Sequence, residues 1–435
     1  MKLTLYELQQ GMTIQSYLDL EDRFGALDAK KCEWLQHNFP GARVSLKRGG
    51  QPLDLAITEL RPGDRPQKVF AFPVALAHLT QVNERLLAEL GRQGFTAFEV
   101  LQSHSEDPKQ AIAKANQLVT QAKAGKVARE RATVAVEALF DGLAQGVTNL
   151  EAIEGLVEEI VENANIDAMA ALASLKQADH TYAHCVDVGA IFTMVYQKIS
   201  EQTGRTSVFA DLQETLLAAI LHDIGKSLLP KDILESPMPF EKDSAEMKAL
   251  RSHAEKSRNL LTELKLPETA VNMGYYHHVK VDESIYSSYP KDLKFEDASY
   301  EARLLAIIDI YQALTGRRNY KKSWTAAAAL RYIDALAGVE YDEAVFDDFS
   351  AVMGLFPIGS LVKLSDNRMG FVMNVPKGDL YRPQVAVFQD GQGQDLTHEL
   401  VDLARRTELS IKQDLDPLEV LGDKALDHFT ALKLT

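Results

Sequence analysis

Residues 216–230 read LLAAILHDIGKSLLP. Six apolar or small residues run without a break into a His-Asp pair, His222 and Asp223, and Gly225, Lys226 and Pro230 follow. The apolar run predicts a buried helix over 208–224. An imidazole and a carboxylate at the end of such a helix each need a partner: an opposite charge, a hydrogen bond or a metal ion. The fold and the function both turn on whether the rest of the chain supplies one.

Outward from this stretch the pattern stays helical from about 179 to 353. The spacing predicts helices over 182–202, 208–224, 243–264, 267–279, 298–316, 324–337 and 342–353, with an all-α core. Six of the eleven histidines fall between positions 180 and 278: His180, His184, His222, His253, His277 and His278. His184 lies early in its helix, His253 sits inside SHAEKS, and His277 and His278 end AVNMGYYHH. Asp309 interrupts the otherwise apolar RLLAIIDIYQAL. Imidazole and carboxylate donors suit manganese, iron, nickel, cobalt or zinc. A hydrogen-bonded polar network through a helical bundle is the alternative that composition and spacing leave open.

The flanks differ. In the first hundred residues RVSLKR, DLAITEL, KVFAFPV and FTAFEVL predict short strands, and LAHLTQVNERLLAELGRQG a helix ending at glycine. From 108 to about 176 the pattern is helical, clearest in VARERATVAVEALFDGL. After Pro357, SLVKLSD, MGFVMNV and PQVAVFQD predict strands, with QDGQGQD as a hairpin turn. The expected organisation is mainly α. An N-terminal accessory domain and connecting helix occupy 1–150, a helical domain 151–354 and a small β-rich module 355–435.

The 435 residues are 46% hydrophobic and 25% charged, ordinary for a globular protein. A net charge of -15 argues against a nucleic-acid polymer or an anionic membrane as partner, while leaving room for a small anion at a local cluster of cations. The N-terminus shows no secretory pattern, no segment has the length and apolarity of a membrane span, and two cysteines, Cys32 and Cys185, suggest no disulfide framework. These features predict a cytoplasmic protein. The helical surface is compatible with a homodimer.

Five segments together resemble the HD-GYP family of HD-domain metal-dependent phosphohydrolases: HTYAHCVDV, HDIGKSLLPKDIL, MKALRSHAEKSRNLL, HHVKVDESIYSSYP and ARLLAIIDIYQALTGRRNY. The region from 356 to 375 is similar to the β segment that follows this domain in many members, and LYELQQGM is vaguely similar to an accessory domain found ahead of it. The resemblance implies two divalent transition-metal ions, with Fe, Mn, Ni or Co expected. His184, His222, Asp223 and Asp309 would hold one, and Asp223 would bridge to a second held by His253, His277 and His278. His180 occupies the place from which some members ligate a third. Lys226 would sit beside the phosphate, and Arg318 and Tyr320 would contact it. Asp282 would serve the leaving group or a water, or only order its loop; Tyr286 would contact substrate or pack.

The implied activity is hydrolysis of a cyclic dinucleotide, principally cyclic di-GMP, in bacterial signalling. The GYP segment departs from the family pattern. Val279 replaces a glutamate, Glu283 and Ile285 stand at the two glycine positions, and Ser287 stands where proline belongs, with Tyr289-Pro290 a few residues on. A stiff β-branched residue at a glycine position changes the loop's shape. A cyclic-dinucleotide receptor or scaffold with little hydrolysis, or another nucleotide phosphohydrolase, therefore stays open as an alternative.

Overall fold

A computed structural model describes residues 2–4, 14–18, 26–38, 43–48, 51–71, 97–100, 107–147, 149–163, 166–173, 175, 181–234, 236, 238–316, 323–376, 382–406 and 408–434. The chain divides into two units. One is Met1–Glu106 with Val375–Gln384 and Asp402–Thr407; the other is Asp107–Asn374 with Val385–Val401 and Glu408–Thr435.

The first unit holds β1 (Lys2–Thr4), β2 (Ile14–Leu18), α1 (Ala29–Asn38), β3 (Arg43–Arg48), β4 (Gln51–Ala56), β5 (Arg65–Ala71) and β6 (Ala97–Val100). The strands form a six-stranded sheet in the order β1-β6-β2-β5-β3-β4, and the registered pairs are antiparallel. Side chains alternate between faces along a strand, so RVSLKR buries Val44 and Leu46. The helix expected over 76–94 lies outside the described residues.

The second unit opens with α2 (Pro108–Ala144), whose proline occupies the first turn, where its missing N–H is harmless. This helix, expected as the connecting helix of 1–150, lies in the second unit. There follow α3 (Glu151–Asn163), α4 (Ile166–Ala173), α5 (Thr181–Thr203) and α6 (Leu212–Ile220). Asp211 caps α6, its Oδ1 accepting from Glu214 N at 2.8 Å. Glycine at 189 lets α5 and α6 approach closely: a Cβ there would meet Ile220 Cγ1 at 2.6 Å. After α7 (Lys231–Leu234) come α8 (Ala245–Arg251), α9 (His253–Glu263), α10 (Glu268–Tyr276), α11 (Tyr300–Thr315), α12 (Ala326–Asp334) and α13 (Glu343–Met353). Phe192 and Val195 of α5 share a buried core with Ile308 and Tyr311 of α11 and Phe349 of α13.

Two departures from the expected helices shape the site. The helix predicted over 208–224 becomes a 3₁₀ winding at Leu221–Leu228. The helix predicted over 243–264 is broken between Arg251 and His253.

The C-terminal sheet has five strands in the order β10-β9-β8-β7-β11: β7 (Leu361–Leu364), β8 (Met369–Asn374), β9 (Gln384–Gln389), β10 (Asp395–Asp402) and β11 (Ile411–Leu415). QDGQGQD makes the β9–β10 turn, with Asp390 Oδ1 accepting from Gln392 N and Gln394 N at 2.8 and 2.9 Å. Phe371 stacks on Phe388 and meets Phe429 edge-on, and these rings share a core with Leu118 and Ala122 of α2. The protein is mainly α, with a mixed N-terminal unit and a small antiparallel C-terminal sheet. Cys32 and Cys185 are buried and unpaired. Among the described residues no helix is long and apolar enough to cross a membrane.

Candidate metal centre

The structure gathers seven side chains into two sets. His184, His222 and Asp309 form one; Asp223, His253, His277 and His278 form the other, and within each set the candidate donor atoms lie within 4.8 Å of one another. Asp223 faces both. Its Oδ2 lies 3.4 Å from His222 Nε2 and 4.0 Å from His184 Nε2. Its Oδ1 lies 3.2 Å from His253 Nε2 and 3.7 Å from His277 Nε2.

Helix ends aim these imidazoles. The last carbonyls of a helix have spare acceptor capacity, and three histidines bond to carbonyls near helix ends. His222 Nδ1 donates to Ala219 O at 2.8 Å, His253 Nδ1 to Leu250 O at 2.6 Å, and His277 Nδ1 to Met273 O at 3.0 Å. A nitrogen facing a carbonyl must carry the proton, so each Nε2 presents a lone pair to the cluster. The break at Ser252 is what places His253 two residues past the end of Leu250's helix. The 3₁₀ winding has a matching role, because residues three apart eclipse. Lys226 therefore stands over Asp223, and its Nζ contacts Oδ2. Gly225 stands over His222 and passes tight against α9.

Lone pairs that converge on carboxylate oxygens repel unless a cation lies among them. His222 Nε2, His277 Nε2 and Asp223 Oδ1 are buried and lack hydrogen-bond partners among the described residues. His253 Nε2 and His278 Nε2 face each other at 3.1 Å. Buried polar atoms of this kind are satisfied by a bound ion or an ordered water, and the nitrogen and carboxylate donors could hold a metal ion. Burial pushes the His253 imidazole down to about 3. Burial, with His277 and His253 alongside, drives His278 well below its ordinary range. Both stay neutral, the form that binds metal.

Burial opposes the charge of Asp223, but Lys226, His222 and His253 outweigh it and hold the carboxyl well below the usual range. Asp309 behaves likewise, with His184 outweighing burial. In His222 burial lowers and Asp223 raises, and the carboxylate wins: without an ion, a proton is drawn to the same lone pair. Lys226 stays cationic because Asp223 and Asp309 overcome its burial.

Of the remaining sequence candidates, Asp282 and Tyr286 are described. Asp282 belongs to neither set: it is exposed, and its Oδ1 accepts from Ser284 N at 3.0 Å and Ser284 Oγ at 2.6 Å. That is a loop cap. Glu283 likewise closes the loop, accepting from Lys294 Nζ at 2.7 Å and Phe295 N at 2.8 Å. Tyr286 accepts from Asp243 N at 3.0 Å. His180, Arg318 and Tyr320 lie outside the described residues.

Sequence reasoning missed Arg251. Its guanidinium lies 4.0 Å from the Tyr286 ring centroid and 5.0 Å from that of Tyr289, while Tyr289 stacks on His278 at 4.4 Å. Arg251 Nε is buried without a hydrogen-bond partner among the described residues. The signal was available: a cation two residues before a candidate ligand.

Residues 156–345 match a family profile described as an HD domain, and residues 361–422 one described as a KOW domain associated with the HD domain. A cyclic di-GMP phosphodiesterase of Pseudomonas aeruginosa is 30% identical over 305 residues, covering 68% of this chain and 70% of that protein. The chain belongs to the HD-GYP family. Its members are HD-domain metal-dependent phosphohydrolases, and among the described residues the two His/Asp sets could hold a metal ion. Two further relatives match over shorter stretches. The cyclic di-GMP phosphodiesterase response regulator RpfG of Xanthomonas campestris is 32% identical over 151 residues, 34% of this chain and 38% of its own length. A 3'3'-cGAMP-specific phosphodiesterase of Vibrio cholerae is 28% identical over 194 residues, 41% of each chain.

Proposed function

We propose that this protein hydrolyses a phosphodiester bond of a cyclic dinucleotide, cyclic di-GMP foremost, at the paired His/Asp sets. The supporting observation is Asp223, whose two oxygens each face one set of lone-pair-bearing imidazoles. His184, His222, Asp223 and Asp309 would hold one divalent transition-metal ion, and Asp223, His253, His277 and His278 the other. Such a pair, when bound, polarises phosphoryl oxygens and acidifies water at neutral pH.

The chain's own residues supply the rest. The helix-end carbonyls keep each Nε2 unprotonated toward the centre. Lys226 contacts Asp223 from a half-buried position and brings a fixed positive charge to the rim, where it can offset charge building on a phosphate. Arg251 brings a second cation, held against two tyrosine rings with an unused donor, suited to the other phosphate of a cyclic dinucleotide or to the face of a base. Asp282 orders the loop in this reading and takes no proton.

Relatives named for cyclic di-GMP and for cGAMP both support the substrate class. Anaerobically purified protein should convert cyclic di-GMP to a linear dinucleotide that chromatography resolves, with cGAMP run in parallel. Binding of either without product would instead assign a receptor, the reading favoured by the self-tied Asp282–Glu283 loop. For the Arg251→Met variant, KM should rise about 10-fold or more with kcat held within about 3-fold, since a contact made equally in ground and transition states is lost. An unchanged KM would remove Arg251 from the substrate site.

A further inference from the structure

Three of the candidate ligands have their ring orientation set by backbone carbonyls; His184 does not. Its Nδ1 meets the side-chain Oε1 of Gln312. The other end of that amide, Nε2, donates to Asp187 Oδ2 at 3.3 Å. Asp187 is in turn clasped by Arg129, Nε to Oδ1 at 2.6 Å and Nη2 to Oδ2 at 2.7 Å. Arg129, Asp187 and Gln312 are 5%, 1% and 2% exposed, so water does not compete for these bonds.

We propose that Gln312, oriented by the Arg129–Asp187 pair, is a positioning residue that decides which nitrogen of His184 faces the centre. The inference rests on the metal reading of that centre. Asp187, paired with Arg129, is an ionised acceptor. Gln312 must therefore turn its NH₂ toward it, which leaves its oxygen toward His184. An oxygen there requires a proton on His184 Nδ1. Nε2 is then the bare nitrogen, aimed at Asp309 Oδ1 2.9 Å away.

The spacing supports a built arrangement. On α5, His184 and Asp187 are three residues apart; on α11, Asp309 and Gln312 are three residues apart. Each helix thus presents a ligand and its support on one face, and α2 closes the chain with Arg129. A flipped amide would put its NH₂ against Nδ1, move the proton to Nε2 and block ligation.

The test is cobalt(II) uptake by full-length wild type, Gln312→Met and Gln312→Glu, beside histidine-selective ¹H–¹⁵N spectra of the ion-free proteins. Gln312→Met keeps the volume and loses both bonds. Its affinity for the ion at the His184 set should fall about 10- to 100-fold, while the His253 set keeps its ion and the His184 Nδ1–H signal disappears. Gln312→Glu retains an acceptor for Nδ1 but loses the donor to Asp187, so the Nδ1–H signal should persist while the protein is less stable. Wild-type uptake and an unchanged His184 signal in Gln312→Met would overturn the proposal.

Should Gln312→Met fail to fold, the Arg129→Met/Asp187→Leu double variant replaces a buried ion pair by apolar side chains, often a tolerated change. The same set should then lose affinity and the Nδ1–H signal should weaken; no change in either overturns the proposal equally. If wild type takes up no cobalt, the metal reading fails, and the ion-free spectra still decide the positioning role.

Discussion

Asp223→Ala should lower phosphodiester hydrolysis by about three orders of magnitude or more and leave the folded protein without tightly bound ions. The side chain is 1% exposed, and both of its oxygens face imidazole nitrogens, at 3.2 Å for His253 and 3.4 Å for His222. No neighbouring group can replace a bridge between two sets. The deletion also strips the counter-charge from Lys226, whose Nζ contacts Asp223 Oδ2. A half-buried ammonium left without its partner adds a loss of stability. Asp223→Asn separates the two effects. It keeps the volume but has one acceptor oxygen where the carboxylate had two, and its NH₂ repels a cation. One ion should remain and turnover should still collapse. Metal content by mass spectrometry, product formation and a thermal melt on one sample check all three. Two retained ions in Asp223→Asn would mean that Asp223 does not bridge.

Gly225→Ala should be the most damaging single methyl addition in the helical region. A Cβ at 225 would lie 2.2 Å from His253 O, 2.4 Å from Ser257 N and 2.8 Å from Lys256 Cβ. Two of these atoms are backbone of α9 and cannot rotate aside. The 3₁₀ winding and α9 must separate, which also breaks the 2.9 Å bond from Gly225 N to Ser257 Oγ. Overpacking of this kind costs about 3 kcal/mol or more, a fall of roughly 5–10 °C in Tm for a unit of this size. The same movement carries His253 away from Asp223, so metal affinity should fall with stability. Gly155→Ala is the control: nothing lies within 4 Å of its added methyl, and alanine should stabilise α3 by about 0.5–1 kcal/mol. Equal melting temperatures for Gly225→Ala and wild type would mean that the winding does not pack as described.

The ligands were legible in the sequence because each imidazole or carboxylate interrupts or ends an apolar helical run, where bulk water is an implausible partner. Their aim was not legible. Eight residues cannot distinguish a three-residue winding from a 3.6-residue helix by periodicity, so the turn at Leu221–Leu228 reads as the end of α6. Nothing in ALRSHAE, with neither glycine nor proline, announces the break that frees Leu250 O for His253. Gln312 was overlooked because an uncharged amide in an apolar helix attracts less notice than Asp309, although its place three residues on was the signal. Arg129 stands among three charged residues in VARERATV and reads as one more solvated charge; only packing shows that it is buried against Asp187. In the altered GYP segment, residue type left Asp282 open between serving the leaving group or a water and ordering its loop; only the folded loop shows its side chain accepting from Ser284 N and Oγ.

The most direct test takes full-length protein purified without oxygen, counts bound transition metal per chain, and follows cyclic di-GMP hydrolysis by the same sample before and after chelation. Two tightly held ions, turnover lost on stripping and restored by manganese or iron, and neither property in Asp223→Ala are the predicted results. A correctly folded wild-type chain that holds no ion, or that hydrolyses the substrate equally well once stripped, would contradict the paired-cation centre on which this account stands.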